Sequence, residues 1–342
     1  MLKVAINGFG RIGRAAFKVA LEKHPESLEI VAINDLGEPK VLAQLLQYDS
    51  AYGRWEKEVF PSEGSITVEG KKYPILAEKI PVNLPWKDLG VEVVIESTGR
   101  FLDEEGLKQH LLAGAKKVVL SAPAKGSNIS TFLISVNHDK YQGEQLINNA
   151  SCTTNCIAPI AAIIQEKFGI QKALMTTTHA VTAEQNLVDG SPPGGKSNDL
   201  RRARAAYTNI IPTTTGAAVS TTEAIPELKG LFDGRAVRVP VIVGSLSDFT
   251  FLLKTKTSCE EINQVIKGAC SEDRFEGIVT WTEEPLVSSD IIGRPESAIV
   301  DLPLTQVVDG DLVKIFAWYD NEMGYANRLV EQVINIGKYS PN

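Results

Sequence analysis

The chain has 342 residues, which is more than one hydrophobic core usually sustains, so its length predicts two domains. Hydrophobic residues make up 43% and charged residues 23% of the sequence, a balance typical of a soluble globular protein. The net charge of −7 argues against a nucleic-acid partner, and the apolar runs fall short of the ~20 residues that a membrane-spanning helix needs.

The spacing of cysteines and histidines argues against a metal-binding protein. None of the four cysteines forms a C-x-x-C pair and no histidine pair has zinc-finger spacing, so we expect no metal. The N-terminal residues lack the pattern of a signal peptide. We therefore predict a cytoplasmic location with reduced thiols, which serve either packing or chemistry.

The first half of the chain alternates short apolar runs with helical patterns. In chain order these predict a strand at 3–7, a helix at 11–23, strands at 28–34 and 91–97, a helix at 103–113 and a strand at 117–121. Such alternation is typical of an α/β domain with a buried parallel sheet, here over residues 1–150. Residues 52–85 have shorter strands with Gly and Pro breaks and indicate an insertion at the edge of that domain.

The pattern changes from about residue 151. The sequence predicts an apolar helix at 157–168, a strand at 174–179, a Gly/Pro-rich loop at 189–196, a helix at 216–225 and strands at 236–240, 245–254 and 312–319. Polar and apolar residues alternate along these strands, which predicts a largely antiparallel sheet in a second domain. The last helix, from residue 322, can pack on either domain.

A dinucleotide fingerprint follows the first predicted strand. Gly8, Gly10 and Gly13 form G-x-G-x-x-G between a strand and a helix, where they permit a tight turn, close approach of a pyrophosphate and close helix packing. Asp35 lies 22 residues after Gly13, at the position of an acid that binds the ribose hydroxyls. Its charge would repel a 2′-phosphate, so NAD is favoured over NADP. The alternative is a glycine-rich turn, capped by Asp35, that binds nothing.

The best candidate for nucleophilic chemistry is Cys152. It lies where a helix begins, and the helix dipole favours a thiolate there, although Pro159 requires a later helix start or a distortion. His179 ends a strand among threonines and would stabilise the thiolate and accept a proton. The alternative is that Cys152 only packs, as we expect for Cys156.

The other three histidines, His24, His110 and His138, are interpreted as surface or loop residues.

Phosphate-binding signals follow the cysteine. Thr213–Gly216 precedes a small-residue helix and offers hydroxyls and N–H groups to an anion. Arg202 belongs to an arginine cluster that fits either a subunit interface or a substrate. Arg238 lies within an apolar strand, where it needs an anionic partner or an exit to water.

Together these motifs resemble a known family. Asn7–Arg14 (NGFGRIGR), Ala150–Asn155 (ASCTTN), Asn209–Pro212 with Thr215–Ala218, and Trp318–Glu322 (WYDNE) occur in order. The chain resembles phosphorylating glyceraldehyde-3-phosphate dehydrogenases from end to end. The resemblance implies a Rossmann NAD-binding domain over 1–150, joined by the C-terminal helix 322–337. It also implies an α+β catalytic domain over 151–321 with a mixed, largely antiparallel sheet, and a homotetramer.

The resemblance also implies roles for individual residues. Cys152 would attack the aldehyde and His179 would act as the base, giving a thioester that inorganic phosphate resolves. The residues matched to NAD are Gly8, Gly10, Arg11, Ile12, Gly13, Asp35, Ser121 and, at the nicotinamide amide, Asn321. The substrate's phosphate matches Thr182 and Arg238, and the attacking phosphate matches Ser151, Thr153, Arg202, Thr215 and Gly216.

The sequence departs from the family pattern at three places. The loop 189–199 is longer than usual, Met323 stands where Trp is frequent, and Glu184 stands beside the proposed phosphate site, where it would weaken anion binding. The close alternatives are an erythrose-4-phosphate dehydrogenase and an NADP-linked relative. A more distant alternative is a non-catalytic NAD-binding or adhesion protein.

Overall fold

The computed structural model describes residues 1–126, 128–191 and 199–339. The chain divides into two compact units, one formed by Met1–Ala150 with Ala326–Asn342 and the other by Ser151–Tyr325. Most of the long 189–199 loop lies outside the described residues, since the description stops at 191 and resumes at 199. In the part of the chain that the structure describes, no helix is long and apolar enough to span a bilayer.

A nine-stranded sheet forms the centre of the first unit, in the order β10-β11-β9-β8-β1-β2-β7-β6-β5. Its strands are β1 (Leu2–Asn7), β2 (Leu28–Asn34), β5 (Val59–Ser62), β6 (Ser65–Val68), β7 (Lys71–Leu76), β8 (Val93–Glu96), β9 (Lys117–Leu120), β10 (Ser130–Thr131) and β11 (Leu146–Asn148), while β3 (Tyr48–Asp49) and β4 (Gly53–Arg54) pair separately. The helices are α1 (Arg11–Lys23), α2 (Pro39–Gln47), α3 (Trp86–Leu89) and α4 (Glu104–Leu112).

The parallel sheet predicted for the first half is confirmed. Strand β1 pairs in parallel with both β2 and β8, and β8 pairs in parallel with β9. All four residues of β8 are buried, as expected of a strand covered on both faces. The insertion is also confirmed, because β5 and β6 extend the edge of the sheet in antiparallel order.

Three parallel strands of this sheet end in polar residues at the same level. In the register of the sheet, Asn7 at the end of β1 pairs with Asn34 on β2 and with Glu96 on β8. Carboxyl ends of parallel strands share one edge of a sheet, which is where ligands bind in open α/β folds. The fold therefore lines up three buried polar side chains at that edge.

The second unit has an eight-stranded mixed sheet in the order β13-β14-β12-β15-β19-β17-β16, with β18 paired to β19. Its strands are β12 (Ile170–His179), β13 (Ile211–Thr213), β14 (Phe232–Arg238), β15 (Ser245–Leu253), β16 (Val279–Thr282), β17 (Ala298–Asp301), β18 (Gln306–Val308) and β19 (Leu312–Tyr319). Its helices are α5 (Cys152–Phe168), α6 (Ala217–Ala224) and α7 (Cys259–Ala269). Only the β12–β14 and β16–β17 pairs are parallel among these strands, so the largely antiparallel prediction is confirmed.

The last helix, α8 (Met323–Lys338), begins at the end of the second unit and from Ala326 onward belongs to the first. Lys23 Nζ donates to Asn327 Oδ1 at 2.8 Å, and Lys117 Nζ donates to the Ile336 carbonyl at 2.6 Å. These contacts tie the helix to α1 and to β9.

The start of α5 differs from the prediction. The helix begins at Cys152 and not near Ile157, because the Ser151 side chain accepts from the Thr154 N–H at 3.1 Å and caps it. Pro159 lies inside the helix rather than in its first turn. The N-cap serine, which precedes the apolar run, therefore decides where this helix starts.

The interpretation of His110 as a surface or loop residue is wrong. It lies on α4 and has no exposed surface. Trp86 Nε1 donates to its Nδ1 at 3.0 Å, and its Nε2 lies 3.0 Å from Glu96 Oε2. Two polar partners on separate elements of the first unit make this burial tolerable.

We expect alanine substitutions at two fingerprint glycines to differ in their effect on stability, because Gly13 is closely packed and Gly10 is not. A Cβ at Gly13 would overlap the carbonyl oxygen of Gly8, whereas one at Gly10 would meet nothing within 4 Å. Gly13→Ala should lower the free energy of unfolding by about 2 kcal/mol or more, and Gly10→Ala by about 1 kcal/mol or less. Chemical denaturation of both variants measures this, and equal losses would contradict the packing argument.

Candidate active site

The turn after β1 has the geometry that its glycines predict. Gly8 has a φ of +97°, and a Cβ there would lie 2.6 Å from the Thr98 backbone nitrogen. Gly10 is the N-cap of α1 and brings no side chain to the first turn, in contrast to the capping residues Asp103 of α4 and Ser151 of α5. The start of α1 is thus left accessible to an anion such as a pyrophosphate.

Asp35 is held at the mouth of a cleft of about 240 Å³ beside this turn. Its Oδ2 accepts from the Phe9 N–H at 2.7 Å and its Oδ1 from the Gly37 N–H at 2.8 Å. The other lining residues are Gly8, Gly10, Asn34, Leu36, Glu78, Lys79, Ser97, Thr98, Arg100 and Phe101. The fixed carboxylate and the uncovered helix start together fit the adenosine and pyrophosphate of NAD.

The three remaining NAD-binding candidates of this unit, two at the start of α1 and one after β9, differ in their contacts. Arg11 opens α1 and forms a bidentate pair with Asp49, at 3.0 and 3.2 Å. Ile12 is half-buried in the first turn of α1. Ser121 follows β9, and its N–H donates to the Glu96 carbonyl at 2.9 Å. Ser121 therefore belongs to the same strand-end edge as Gly8.

In the second unit, the structure brings Cys152 and His179 together. Cys152 is the first residue of α5 and His179 is the last residue of β12. Cys152 Sγ and His179 Nε2 are 3.4 Å apart, which is within hydrogen-bonding distance for sulfur. A partly exposed thiol next to a buried imidazole is the arrangement of an activated nucleophile.

Two groups of opposite character face the other edge of the imidazole. His179 Nδ1 lies 2.7 Å from the Ala180 carbonyl oxygen, which can only accept, and close to Arg238 Nη1, which can only donate. The tautomer with the proton on Nδ1 satisfies the carbonyl. Nε2 then offers its lone pair to the thiol of Cys152. Arg238 Nη1 donates to the same carbonyl at 3.0 Å and lies 2.8 Å from Nδ1.

Arg238 reaches this position through strand pairing. It ends β14, and its register partner on the parallel strand β12 is His179. The two side chains therefore leave the sheet at the same edge.

Burial and the positive charge of Arg238 shift the pKa of the Cys152 thiol in opposite directions. Burial raises the pKa of the Cys152 thiol, while Arg238 and hydrogen bonds involving Thr153 lower it. Burial, reinforced by the charge of Arg238, lowers the pKa of His179 to about 3. The backbone N–H groups of Cys152 and Thr153 at the helix start also lower this pKa, in the expected direction, but desolvation is the larger effect.

Transfer of the proton from Cys152 to His179 costs less free energy than ionisation of either group by itself. Moving the proton from Sγ to Nε2 creates two opposite charges in contact, and their attraction offsets part of the desolvation cost. The imidazole is thus placed at hydrogen-bonding distance to accept the thiol proton.

The sequence did not indicate a network of hydroxyl groups next to Cys152. The hydroxyl of Tyr319, on β19, lies 2.9 Å from Thr153 Oγ1 and 2.7 Å from Thr177 Oγ1. Its ring meets that of His179 edge to face at 6.0 Å. Tyr319 therefore fixes both the residue after Cys152 and the imidazole. Its place in the WYDNE motif was the available signal.

Glu184 stands between the two candidate phosphate-binding arginines. Its Oε1 accepts from Arg202 Nη1 at 2.7 Å and lies 3.6 Å from Arg238 Nη2. Arg202 Nε also donates to Thr213 Oγ1 at 2.8 Å. An incoming anion must share or displace the Glu184 carboxylate, so the expected weakening of anion binding has a direct structural basis.

Two buried polar atoms of the candidate phosphate site lack a hydrogen bond within the described residues. Among the described residues, Thr182 Oγ1 and Arg238 Nε make no hydrogen bond. Unpaired buried donors are costly, so both groups suit a ligand with acceptor oxygens. Thr182 and Arg238 are the two residues matched to the substrate's phosphate.

The other phosphate candidates lie at two helix starts. Ser151 caps α5, and the hydroxyl of Thr153 is engaged by Tyr319. Gly216 caps α6 and leaves open space around its Cα, while Thr215 Oγ1 accepts from the Ala217 N–H at 3.2 Å. Asn321, matched to the nicotinamide amide, has its oxygen bonded by the Ser245 hydroxyl at 2.9 Å.

Comparison with known proteins agrees with these features. The family model described as glyceraldehyde 3-phosphate dehydrogenase, NAD binding domain, matches residues 2–104, and the corresponding C-terminal domain matches residues 151–321. A glyceraldehyde-3-phosphate dehydrogenase of Streptomyces coelicolor is 49% identical over 338 residues, 98% of each chain. One of Clostridium acetobutylicum is 48% identical over 342 residues, 99% of each chain.

A dinucleotide-binding unit and a unit that pairs a cysteine with a histidine define a nicotinamide-dependent oxidoreductase. The chain belongs to the glyceraldehyde-3-phosphate dehydrogenase family, and NAD is its cofactor.

Replacement of the imidazole tests its role as proton acceptor. In His179→Asn the Cys152 proton must leave to water, so the pKa of the thiol should rise and its alkylation by iodoacetamide at pH 7 should slow about tenfold or more. The difference should shrink as the pH is raised far enough for both thiols to ionise without the imidazole. Matched rates of alkylation at pH 7 would contradict the pairing. Thr177→Val, which alters only the layer beneath, is the control.

Proposed function

We propose that the chain oxidises D-glyceraldehyde 3-phosphate to 1,3-bisphosphoglycerate, with inorganic phosphate as second substrate and NAD as electron acceptor. The Cys152–His179 pair carries this proposal, since a thioester route needs a thiol beside a base. We assign NAD binding to residues 1–150 with the C-terminal helix, and the substrate chemistry to residues 151–321.

In the first step Cys152 Sγ bonds to the aldehyde carbon, giving a hemithioacetal, while its proton passes to the carbonyl oxygen through His179. The substrate's phosphate is held by Arg238 and Thr182, whose Nε and Oγ1 are the unpaired buried groups. The charge of Arg238 favours a dianionic ligand there.

In the second step His179 Nε2 accepts the hydroxyl proton of the hemithioacetal as the C–H bond breaks. Bound NAD supplies the acceptor for the hydride that leaves this carbon. The product is a thioester on Cys152. The hydrogen bond from His179 Nδ1 to the Ala180 carbonyl keeps the imidazole oriented and stabilises the positive charge that the imidazole gains.

In the last step an oxygen of inorganic phosphate attacks the thioester carbon and the C–S bond breaks. Cys152 leaves as thiolate, which the adjacent imidazolium and Arg238 stabilise. The attacking anion is assigned to the start of α6 at Gly216, with Thr215, Ser151, Thr153 and Arg202. The oxidation energy is thereby retained as an acyl phosphate.

The direct test is NADH formation from D-glyceraldehyde 3-phosphate and NAD, with and without inorganic phosphate. We expect rapid reduction that requires phosphate. Reduction without phosphate would point to hydrolysis of the thioester and contradict the proposal. Faster turnover of D-erythrose 4-phosphate would reassign the substrate.

Removal of the thiol should separate chemistry from cofactor binding. Cys152→Ala should lower phosphate-dependent turnover by at least about 10⁴-fold, while calorimetry should give an almost unchanged Kd for NAD. Cys156→Ala, one helical turn further along α5 and fully buried, is the matched control. Appreciable turnover by Cys152→Ala would disprove the nucleophile.

Asp35 should set the preference for NAD over NADP. Asp35→Gly removes the charge that repels a 2′-phosphate and frees the Phe9 and Gly37 N–H groups. The ratio of kcat/KM for NAD to that for NADP should fall about tenfold or more. An unchanged ratio would assign the preference to residues outside this cleft.

We also propose a homotetramer in the cytoplasm. Large apolar side chains are exposed on the second unit, among them Leu174, which is 65% exposed on β12, and Ile210, which is 71% exposed. Contact between subunits would cover these side chains. Sedimentation equilibrium tests the subunit number, and cell fractionation tests the location.

A further inference from the structure

A buried carboxylate, Glu96, directly precedes two residues that line the adenosine cleft, Ser97 and Thr98, and takes no part in the chemistry proposed above. It ends β8, has no exposed surface and accepts four hydrogen bonds. Oε2 accepts from Asn7 Nδ2 at 2.5 Å and lies 3.0 Å from His110 Nε2. Oε1 accepts from the Thr98 N–H at 2.8 Å and from Thr98 Oγ1 at 2.5 Å.

Each oxygen of Glu96 faces a neighbour that can only donate. Trp86 Nε1 can only donate, so His110 Nδ1 accepts from it and His110 Nε2 carries the proton that points to Oε2. The Thr98 N–H, which can also only donate, faces Oε1. Both oxygens of Glu96 therefore act as acceptors.

From Glu96 a chain of amide side chains leads through Asn7 to Asn34, which lines the cleft. Because Asn7 Nδ2 donates to Glu96, Asn7 Oδ1 faces the other way and accepts from Asn34 Nδ2 at 2.6 Å. Asn34 Nδ2 also donates to the Glu78 carbonyl at 2.9 Å, and Asn34 Oδ1 accepts from the Glu78 N–H at 3.0 Å. We call Glu96, Asn7 and Asn34 the amide belt.

Each end of the amide belt bonds a residue that lines the cleft. Glu96 accepts from Thr98, and Asn34, which lines the cleft itself, exchanges two hydrogen bonds with the Glu78 backbone. The accepting oxygens of Glu96 set the direction of each hydrogen bond along the belt, and so hold these lining residues in one arrangement.

We propose that Glu96 is a positioning residue for the adenosine half of NAD: the amide belt that it orients sets the affinity of the cleft and leaves the chemical steps untouched. This inference rests on the proposed function, since it concerns the cofactor of the same reaction.

The isosteric variant Glu96→Gln tests it, because a glutamine must turn its NH₂ group toward donors. On the Oε1 side it would face the Thr98 backbone N–H, which cannot rotate. On the Oε2 side Asn7 would have to flip, and then Asn34 would present NH₂ to the Glu78 N–H. Either arrangement leaves buried donors in opposition and disturbs one wall of the cleft.

We expect Glu96→Gln to raise the KM for NAD and the Kd for AMP, which probes the adenosine half alone, each about tenfold. The kcat at saturating NAD and the rate of Cys152 alkylation without NAD should change less than twofold. Glu92→Gln is the control, since Glu92 lies just before β8 and pairs with Lys116 near the surface at 3.1 Å. It should bind AMP as the unaltered chain does.

A second variant keeps the test decisive if Glu96→Gln folds poorly. Thr98→Val removes one donor to Oε1 on a half-buried residue, and it should weaken AMP binding about threefold. Unchanged AMP affinity in Thr98→Val, or in folded Glu96→Gln, would overturn the inference, as would a fall in kcat equal to that in kcat/KM. Failure of the unaltered chain to bind NAD would instead count against the proposed function.

Discussion

Parallel pairing of strands that end in a polar residue is the constraint on which both sites depend. In the first unit, β1, β2 and β8 run in register and end at Asn7, Asn34 and Glu96. In the second unit, β12 and β14 end together at His179 and Arg238, although most of that sheet is antiparallel. Parallel strands expose their last side chains at one edge, so register alone assembles the polar groups of each site.

The second site shows how burial and charge are balanced once the groups are assembled. Arg238 lowers the pKa of Cys152 and also that of His179, so it favours the thiolate and disfavours the imidazolium. A substrate phosphate on Arg238 would reduce both effects. Binding of an anion and ionisation of the pair are therefore coupled through one guanidinium. Glu184 already neutralises part of that charge from the other side.

Sequence reasoning reached most of this architecture for identifiable reasons. The parallel sheet followed from continuous Val and Ile runs, and the NAD turn followed from three glycines between a strand and a helix. Pro159 left two alternatives for α5, a later start or a distorted helix, and capping by Ser151 decides for a start at Cys152 with Pro159 inside the helix. His110 was misassigned because its partners, Trp86 and Glu96, are distant in sequence and only the fold brings them together. Tyr319 was missed for the same reason.

Groups that can only accept determine the direction of hydrogen bonds in both units. The Ala180 carbonyl accepts from Arg238 Nη1 and, in the tautomer with the proton on Nδ1, from His179, which leaves the lone pair of Nε2 facing the thiol. The oxygens of Glu96 play the corresponding part in the first unit, where the orientation of Asn7 and then of Asn34 follows from them. Amides and imidazoles could adopt either orientation by shape alone. A buried acceptor favours the orientation that turns a donor toward it, because the opposite orientation would leave two acceptors facing each other away from water. Residues that take no part in bond making can thus set the orientation of those that bind and react.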